Sequence, residues 1–212
     1  MSVDLLLPYL SPGDGVLDLG AHVGEYTKAF AKAVGPTGRV VAVEPDPGSY
    51  AELQRRYADY PHVTAIEALV GSEAAASVPY WRATWDARHG SMWRPNVPDP
   101  RGTVDVPMVT LDHLAGLVPR LRLIKVDVQG AECHVLDGAH ETLAKDLVWY
   151  VEVWAMGLTH AGRSPAELAA QFQAHGYEMR DRTWADLVAA VGRHDGHQST
   201  DVVLQKHRGM AV

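Results

Sequence analysis

Cysteine is nearly absent from this 212-residue chain. Cys133 stands alone, which excludes an intramolecular disulfide and any zinc or iron–sulfur centre built on several cysteines. There is also no run of about 20 uncharged apolar residues, the length needed to span a bilayer. Basic charge is in deficit, with 19 Lys and Arg against 26 Asp and Glu for a formal net charge of −7. The average surface therefore repels a phosphate backbone, and bulk nucleic-acid binding is disfavoured, a local basic patch aside. The opening MSVDLLLPYLSPGDG carries Asp4 and only a short apolar run, without the basic start of a secretory signal. These deficits lead us to expect a soluble, cytoplasmic protein that binds neither nucleic acid nor membrane. What is present is ordinary globular composition, 47% hydrophobic and 21% charged, at a length that suits one domain with a sizeable core.

From Gly15 onward short apolar runs alternate with helical patterns, the rhythm of parallel strands joined by helical crossovers. Val16-Leu17-Asp18-Leu19 reads as the first strand and ends on Gly20. Tyr26, Ala29, Phe30, Ala33 and Val34 then fall on one helical stripe, which Gly35-Pro36 stops. RVVAVE at 39–44 reads as a strand covered on both faces. Tyr50, Leu53 and Tyr57 mark a second helix, and 63–70 reads as a third strand. The rhythm breaks over about 71–109, where Trp81, Trp85 and Trp93 stand among prolines and the pieces VPYWRA and TVDVPMV can pair as a hairpin. LRLIKVDV at 121–128 returns as a buried strand. A helix opening at Gly130-Ala131-Glu132 then places Val135, Leu136, Ala139 and Leu143 on one side, and 148–154 reads as a fifth strand. Ser164-Pro165-Ala166-Glu167 is a capping box with proline at the first helical position, so a helix starts there and stops near His175-Gly176. Two late β-like runs, near 177–182 and 201–206, complete the count. The expected fold class is α/β, a single Rossmann-like, doubly wound, seven-stranded sheet. One domain would cover residues 1–212, with a core of about 14–206 and the Trp/Pro-rich stretch of about 71–109 as an insertion.

The sharpest chemical signal is Asp18-Leu19-Gly20-Ala21-His22-Val23-Gly24, which falls where the first strand meets the first helix. Glycines at such a turn let backbone N–H groups approach a ligand, and the helix N-terminus favours a carboxylate or phosphate. A dinucleotide fingerprint would read G-x-G-x-x-G, whereas the spacing here is G-x-x-x-G with an acid two positions earlier, a poor fit to nicotinamide binding. Asp18 can accept from an ammonium group, so an amino-acid zwitterion suits this turn better than a pyrophosphate. Glu44 lies 20 residues beyond Gly24 at the end of the second strand, from where a carboxylate reaches ribose hydroxyls in doubly wound folds. The bland alternative is a merely solvated strand-end acid. Glu67 and Ala68, ending the third strand, would lie near the same ligand's adenine.

With these residues in view, the chain resembles the FkbM-type S-adenosylmethionine-dependent methyltransferases. The likeness rests on DLGAHVGEYT, VEP, TLDHL and above all IKVDVQGAECHVLDGA. It is good from about residue 14 to 155 and faint beyond. The resemblance implies the seven-stranded class I methyltransferase fold, S-adenosyl-L-methionine as cofactor, and methyl transfer, usually to a hydroxyl of a sugar or natural-product scaffold. It carries over Asp18, Gly20, Gly24 and Glu44 as cofactor residues and places Asp127 at the active-site end of the fourth strand. Two positions depart from the family pattern: His22 stands where such loops often carry a smaller polar residue, which bears on the fit around the methionine moiety, and Gln129 replaces the Glu of the DVEGAE version, which removes one candidate acid.

A sulfonium cofactor brings its own electrophile, so the protein need only align the nucleophile and, for an alcohol, take up or share a proton. Asp127 can hold the cofactor's amino group, orient an acceptor hydroxyl, or ligate a divalent metal with Glu152; it can also simply cap the helix that follows. No metal site is read from the spacing, and a divalent ion on Asp127 and Glu152 stays an open alternative. Glu152 sits inside the apolar run VWYVEVW, so it needs a partner or must face a cleft. Among the 11 histidines, His89 and His197 rank behind Asp127 as general base, with a loop role as the bland reading. Lys125, on the same strand face as Asp127, reads as a buried lysine paired with an acid, and Cys133 as a packing residue. The insertion and the loop at 183–199 are the expected substrate walls, with Tyr80, Trp81, Trp85, Trp93, Trp154 and Trp184 either contacting an acceptor or covering the sheet. The expected partner is a small-molecule acceptor, and a small lidless domain with an aromatic-rich insertion also admits a homodimer. Two other readings stand beside methyl transfer: a nicotinamide-dependent Rossmann oxidoreductase, and an S-adenosylmethionine-binding protein without turnover.

Overall fold

The computed structural model describes residues 3–84, 90–97, 100–179, 181–193 and 199–206. Five strands of a seven-stranded sheet run parallel: β1 (Gly15–Leu19), β2 (Arg39–Val43), β3 (Val63–Ile66), β7 (Leu121–Val126) and β8 (Val148–Trp154). The antiparallel β10 (Ser199–Lys206) follows β8, and β9 (Tyr177–Met179) closes that edge, giving the order β3-β2-β1-β7-β8-β10-β9. The chain winds outward from β1 in one direction and resumes at β7 on its other side. That reversal is the switch point at which open α/β sheets bind ligands beyond their carboxyl ends.

Side-chain parity explains the two faces. Val16, Val40, Ala42, Leu123 and Val148 point to one side, where α1 (Glu25–Val34) and α2 (Pro47–Tyr57) supply Phe30, Val34 and Leu53. Their alternates Leu17, Leu19, Val41, Ile124 and Trp149 point to the other side and pack with Leu111, Leu136, Leu168 and Leu187. These four belong to α3 (Leu111–Gly116), α4 (Glu132–Asp137), α7 (Pro165–Ala174) and α8 (Trp184–Arg193). Both faces are covered, which is why the central strands read as nearly continuous apolar runs. Helix starts follow local chemistry. Asp46 accepts from the N–H groups of Gly48 and Ser49 with Pro47 at the first turn of α2. Ser164 accepts from Glu167 N while its hydroxyl donates to the Glu167 carboxylate, the capping box read from the sequence.

Three expectations change. The run 63–70 is not one strand: β3 stops at Ile66, whose carbonyl accepts from Glu44 N. The chain then leaves the main sheet, and β4 (Leu69–Gly71) pairs in parallel with β6 (Pro100–Thr110). The VPYWRA and TVDVPMV pieces do pair antiparallel, as β5 (Ala75–Ala83) and β6, so this three-stranded sheet lies in the order β4-β6-β5. The helix read from 130 to 143 is split into α4 and α5 (His140–Leu143). A Cβ at Gly138 would sit 2.2 Å from the Gly71 carbonyl oxygen, and the Gly138 carbonyl accepts from Asp112 N. Asp112 then caps α5 through Glu141 N and Thr142 N. Finally, 183–199 is not a loop throughout, because α8 occupies Trp184–Arg193. Among the described residues no helix is long and apolar enough to cross a membrane.

Candidate active site

A cleft of about 410 Å³ opens over the carboxyl ends of β1, β2, β7 and β8. Its first wall is the β1–α1 turn. Gly20 has φ +71°, and a Cβ there would lie 1.8 Å from the Asp127 carbonyl oxygen. Only glycine lets the ends of β1 and β7 come this close. The N–H groups of Gly20 and Ala21 both donate to Val43 O, which folds the turn toward β2. His22, also left-handed at φ +51°, donates its N–H to Glu44 Oε2 at 2.8 Å, and Asp46 N donates to Glu44 Oε1 at 2.9 Å. Glu44 is thus 4% exposed yet lines the cleft. Burial pushes its carboxyl up to about 7 against the pull of those two N–H donors.

Two residues expected at the cofactor stand behind this wall. Gly24 caps α1 at φ +89°, and a Cβ there would lie 2.5 Å from the Tyr57 ring. Tyr57 Oη donates to its carbonyl at 2.6 Å, so this glycine serves the approach of α2 and does not line the cleft. Asp18 is fully buried and also off the cleft wall. Thr27 Oγ1 donates to its Oδ2 at 2.6 Å, and the Lys125 ammonium pairs with its Oδ1 at 3.3 Å. From that position Asp18 holds α1 and Lys125 in place from below.

Sheet register then brings the charges together. Asp18 lies beside Lys125, and Lys125 beside Tyr150, across β1, β7 and β8. The Lys125 ammonium donates to Leu19 O at 3.2 Å and Gly20 O at 3.0 Å, pairs with Asp127 Oδ2 at 3.4 Å, and lies 5.3 Å above the Tyr26 ring. Burial works against its charge, but Asp127 and Asp18 outweigh that and raise its pKa. This is the buried, acid-paired lysine expected from the sequence. Burial likewise opposes ionisation of Asp127, and here too the partners prevail, Lys125 first, so its pKa is lowered. Glu152 goes the other way: burial, then the neighbouring Asp127 charge, lift its carboxyl well above the usual range. Gln129 Nε2 joins the two acids, at 3.1 Å from Asp127 Oδ1 and 2.8 Å from Glu152 Oε2. Ser199 Oγ donates to Glu152 Oε1 at 2.7 Å. Side by side at the cleft floor are therefore two carboxyls whose proton affinities are pushed in opposite directions.

Ala68, Leu69 and Val70 form an apolar wall beside Val43; Glu67 does not line the cleft. The insertion supplies the opposite wall through Tyr80, Gly90, Ser91 and Met92. Of the aromatic residues expected there, Tyr80 alone lines the cleft among the described residues. Trp184 stacks on Phe172 and donates Nε1 to Tyr177 O, so it covers the sheet. Trp93 faces His134, Trp81 lies under Arg94, and Trp154 is pressed against Gly157. His89, His197 and Trp85 lie outside the described residues. Asp127 and Glu152 do come together, but among the described residues no group of three or more His, Cys, Asp or Glu side chains could hold a metal ion. Sequence reading missed Tyr26, Ser91, Asn96 and the bridging part of Gln129. Tyr26 was legible only as a core residue of the α1 stripe, and the other three act through contacts distant in sequence.

A glycine turn facing a strand-end acid, over the switch point of a mostly parallel seven-stranded sheet, defines the class I S-adenosylmethionine-dependent methyltransferase fold. The chain belongs to the FkbM methyltransferase family: the family model described as methyltransferase FkbM domain matches residues 18–179. The solved structure of methyltransferase FkbM from Methylobacillus flagellatus KT is similar over 92% of this chain at 18% identity and a TM-score of 0.54. The present chain spans 44% of that protein's length. Fibrillarin from Aeropyrum pernix, in complex with natively bound S-adenosyl-L-methionine, is similar over 95% of this chain and 72% of its own, at 16% identity and a TM-score of 0.54. A putative rRNA methylase from Clostridium thermocellum is similar over 96% of this chain and 92% of its own, at 12% identity and a TM-score of 0.54. At these identities the likeness is one of fold. No curated protein matches the sequence.

Proposed function

We propose that this chain moves a methyl group from S-adenosyl-L-methionine to a hydroxyl of a small molecule, a sugar or a natural-product scaffold. The observation that carries the reading is the paired carboxyls of Asp127 and Glu152 at the floor of a cleft whose rim is the Gly20–Glu44 turn. The donor set fits the cofactor. Glu44 is an acceptor placed for ribose hydroxyls, Ala68 to Val70 form an apolar slot for a purine, and the acids on the wall suit a ligand bearing a sulfonium and an ammonium. When bound, S-adenosylmethionine supplies an electrophilic methyl. The chain's own residues do the rest. Asp127, held beside Lys125, would take up the hydroxyl proton as the methyl's bond to sulfur breaks, its electron pair leaving on the thioether, and the C–O bond forms. Glu152, its proton held more tightly by burial and by the neighbouring Asp127, occupies the adjacent position. The insertion wall at Tyr80 and Met92 limits access of water and bulk acceptors.

In this reading the chain acts as one domain in the cytoplasm, alone or as a homodimer, on an acceptor that is not nucleic acid. The test is calorimetric titration with S-adenosylhomocysteine on wild type and Glu44→Ala, followed by methylation assays over a panel of hydroxyl acceptors with Asp127→Asn alongside. Loss of cofactor binding in Glu44→Ala, and of turnover but not binding in Asp127→Asn, is the expected result. Equal heats from the first pair would remove the ribose assignment, and wild-type turnover in the second would remove the base.

A further inference from the structure

Gln129 has a left-handed backbone, φ +52°, in a residue type with no preference for it. Its carbonyl is held by the insertion: Ser91 Oγ donates to it at 3.2 Å and Asn96 Nδ2 at 3.0 Å. Ser91 and Asn96 are both buried. Asn96 is itself oriented from behind, with Oδ1 2.5 Å from His160 Nδ1 on α6 (Ala155–His160). On the far side of the loop Gly130 N donates to Glu132 Oε1, and a Cβ at Gly130 would meet the Gly157 backbone at 2.6 Å. The peptide is clamped from both directions, which is the setting in which a left-handed non-glycine residue persists.

The side chain leaving this clamp uses one nitrogen for two bonds. A primary amide has two hydrogens on that nitrogen, and Gln129 directs one to Asp127 Oδ1 and the other to Glu152 Oε2. Lys125 holds the remaining Asp127 oxygen. The carboxylate is therefore fixed at both ends, with its free lone pairs left for the cleft. Glutamate at this position has no hydrogen to give, leucine has neither donor nor acceptor, and asparagine is one methylene shorter. Glutamine reaches both carboxyls from one nitrogen and adds no charge beside them.

We propose that Gln129 is a positioning residue through which the Trp/Pro-rich insertion aims the Asp127–Glu152 carboxyl pair at the acceptor. This rests on the reading of Asp127 as the group that takes the acceptor's proton. A shift of the insertion wall at Ser91 or Asn96 is passed through the Gln129 peptide to both carboxyls, so the wall that meets the acceptor also sets the geometry of the base.

Two measurements on the full chain test it. The first needs no acceptor: in a 15N–1H spectrum of wild type with S-adenosylhomocysteine bound, both Gln129 amide protons are expected downfield and slow to exchange, and Asn96→Ala should speed their exchange. Fast exchange in wild type, or no response to Asn96→Ala, overturns the proposal. The second measures kinetics with an acceptor from the hydroxyl panel. Gln129→Leu and Gln129→Glu are expected to lower kcat by roughly ten- to a hundredfold, with acceptor KM and S-adenosylhomocysteine Kd within about twofold of wild type. A kcat within about twofold of wild type in Gln129→Leu, or a parallel loss of cofactor affinity marking a merely structural part, overturns it. If wild type binds S-adenosylhomocysteine but methylates no hydroxyl acceptor, the functional reading has failed, and the amide spectrum alone decides whether Gln129 bridges the pair under the insertion's control.

Discussion

Glu44 and Glu132 are both buried carboxyls held near neutral pH by desolvation, and their settings make them testable in different ways. At Glu44 both oxygens already accept backbone N–H groups. A ribose hydroxyl adds a further donor, and donors favour the ionised form. With the free carboxyl at about 7, ligand affinity should rise as pH rises through that value. S-adenosylhomocysteine titrated into wild type at pH 6 and pH 8 is expected to bind about tenfold more tightly at pH 8, the ratio set by one linked proton. Glu44→Gln should bind more weakly and show no such dependence; a dependence retained in the variant would place the linked proton elsewhere. Glu132 does not line the cleft, and among the described residues its Oε2 has no hydrogen-bond partner. Burial raises it from 4.5 to about 7, so the folded chain binds this proton more tightly than the unfolded chain does. The stability this group contributes is fully present below pH 4.5 and is lost as pH rises through about 7. Glu132→Gln removes that loss. Its Tm should match wild type near pH 4.5 and exceed it at pH 8, as read by scanning calorimetry.

The elements carry the fold in proportion to how local their causes are. The α7 capping box was legible because Ser164, Pro165 and Glu167 act within one turn, and Ser164→Ala should cost about 1 kcal/mol in urea unfolding while leaving S-adenosylhomocysteine affinity unchanged. The β1–α1 turn was legible as a glycine turn, but the reasons for its two glycines were not. Gly20 is required by the Asp127 carbonyl and Gly24 by Tyr57, both contacts made across the fold. Gly20→Ala combines a Cβ inside a backbone oxygen's radius with a left-handed φ. It should destabilise by more than about 3 kcal/mol and abolish cofactor binding. The elements misread are those decided by neighbours. Strand 63–70 breaks because its last residues are taken by β6, and the helix after Gly130 breaks because Gly138 touches Gly71.

For the whole molecule, the alternation of apolar runs was enough to read the doubly wound sheet, since burial on both faces leaves its mark in every central strand. The cleft was only half legible. Glu44, Asp127 and Glu152 stand out as acids ending or interrupting apolar runs, whereas the network that sets their charge joins positions as far apart as Asp18, Lys125, Gln129 and Ser199. That network also supplies a test of which ligand the fold was built around. A ligand that binds the native state alone stabilises it by mass action, about 2.7 kcal/mol at a hundred times its Kd. For a chain of this length each kcal/mol is worth roughly 2–4 °C. S-adenosylhomocysteine at that excess should therefore raise Tm by about 5–10 °C, and Glu44→Ala should lose most of the rise. NADH at the same concentration should leave Tm unchanged, because His22 stands where the dinucleotide fingerprint counted from Gly20 needs its second glycine and Glu25 where it needs the third. The opposite pattern, a shift with NADH and none with S-adenosylhomocysteine, would transfer the cleft to hydride chemistry and leave the Asp127–Glu152 pair without the proton assigned to it.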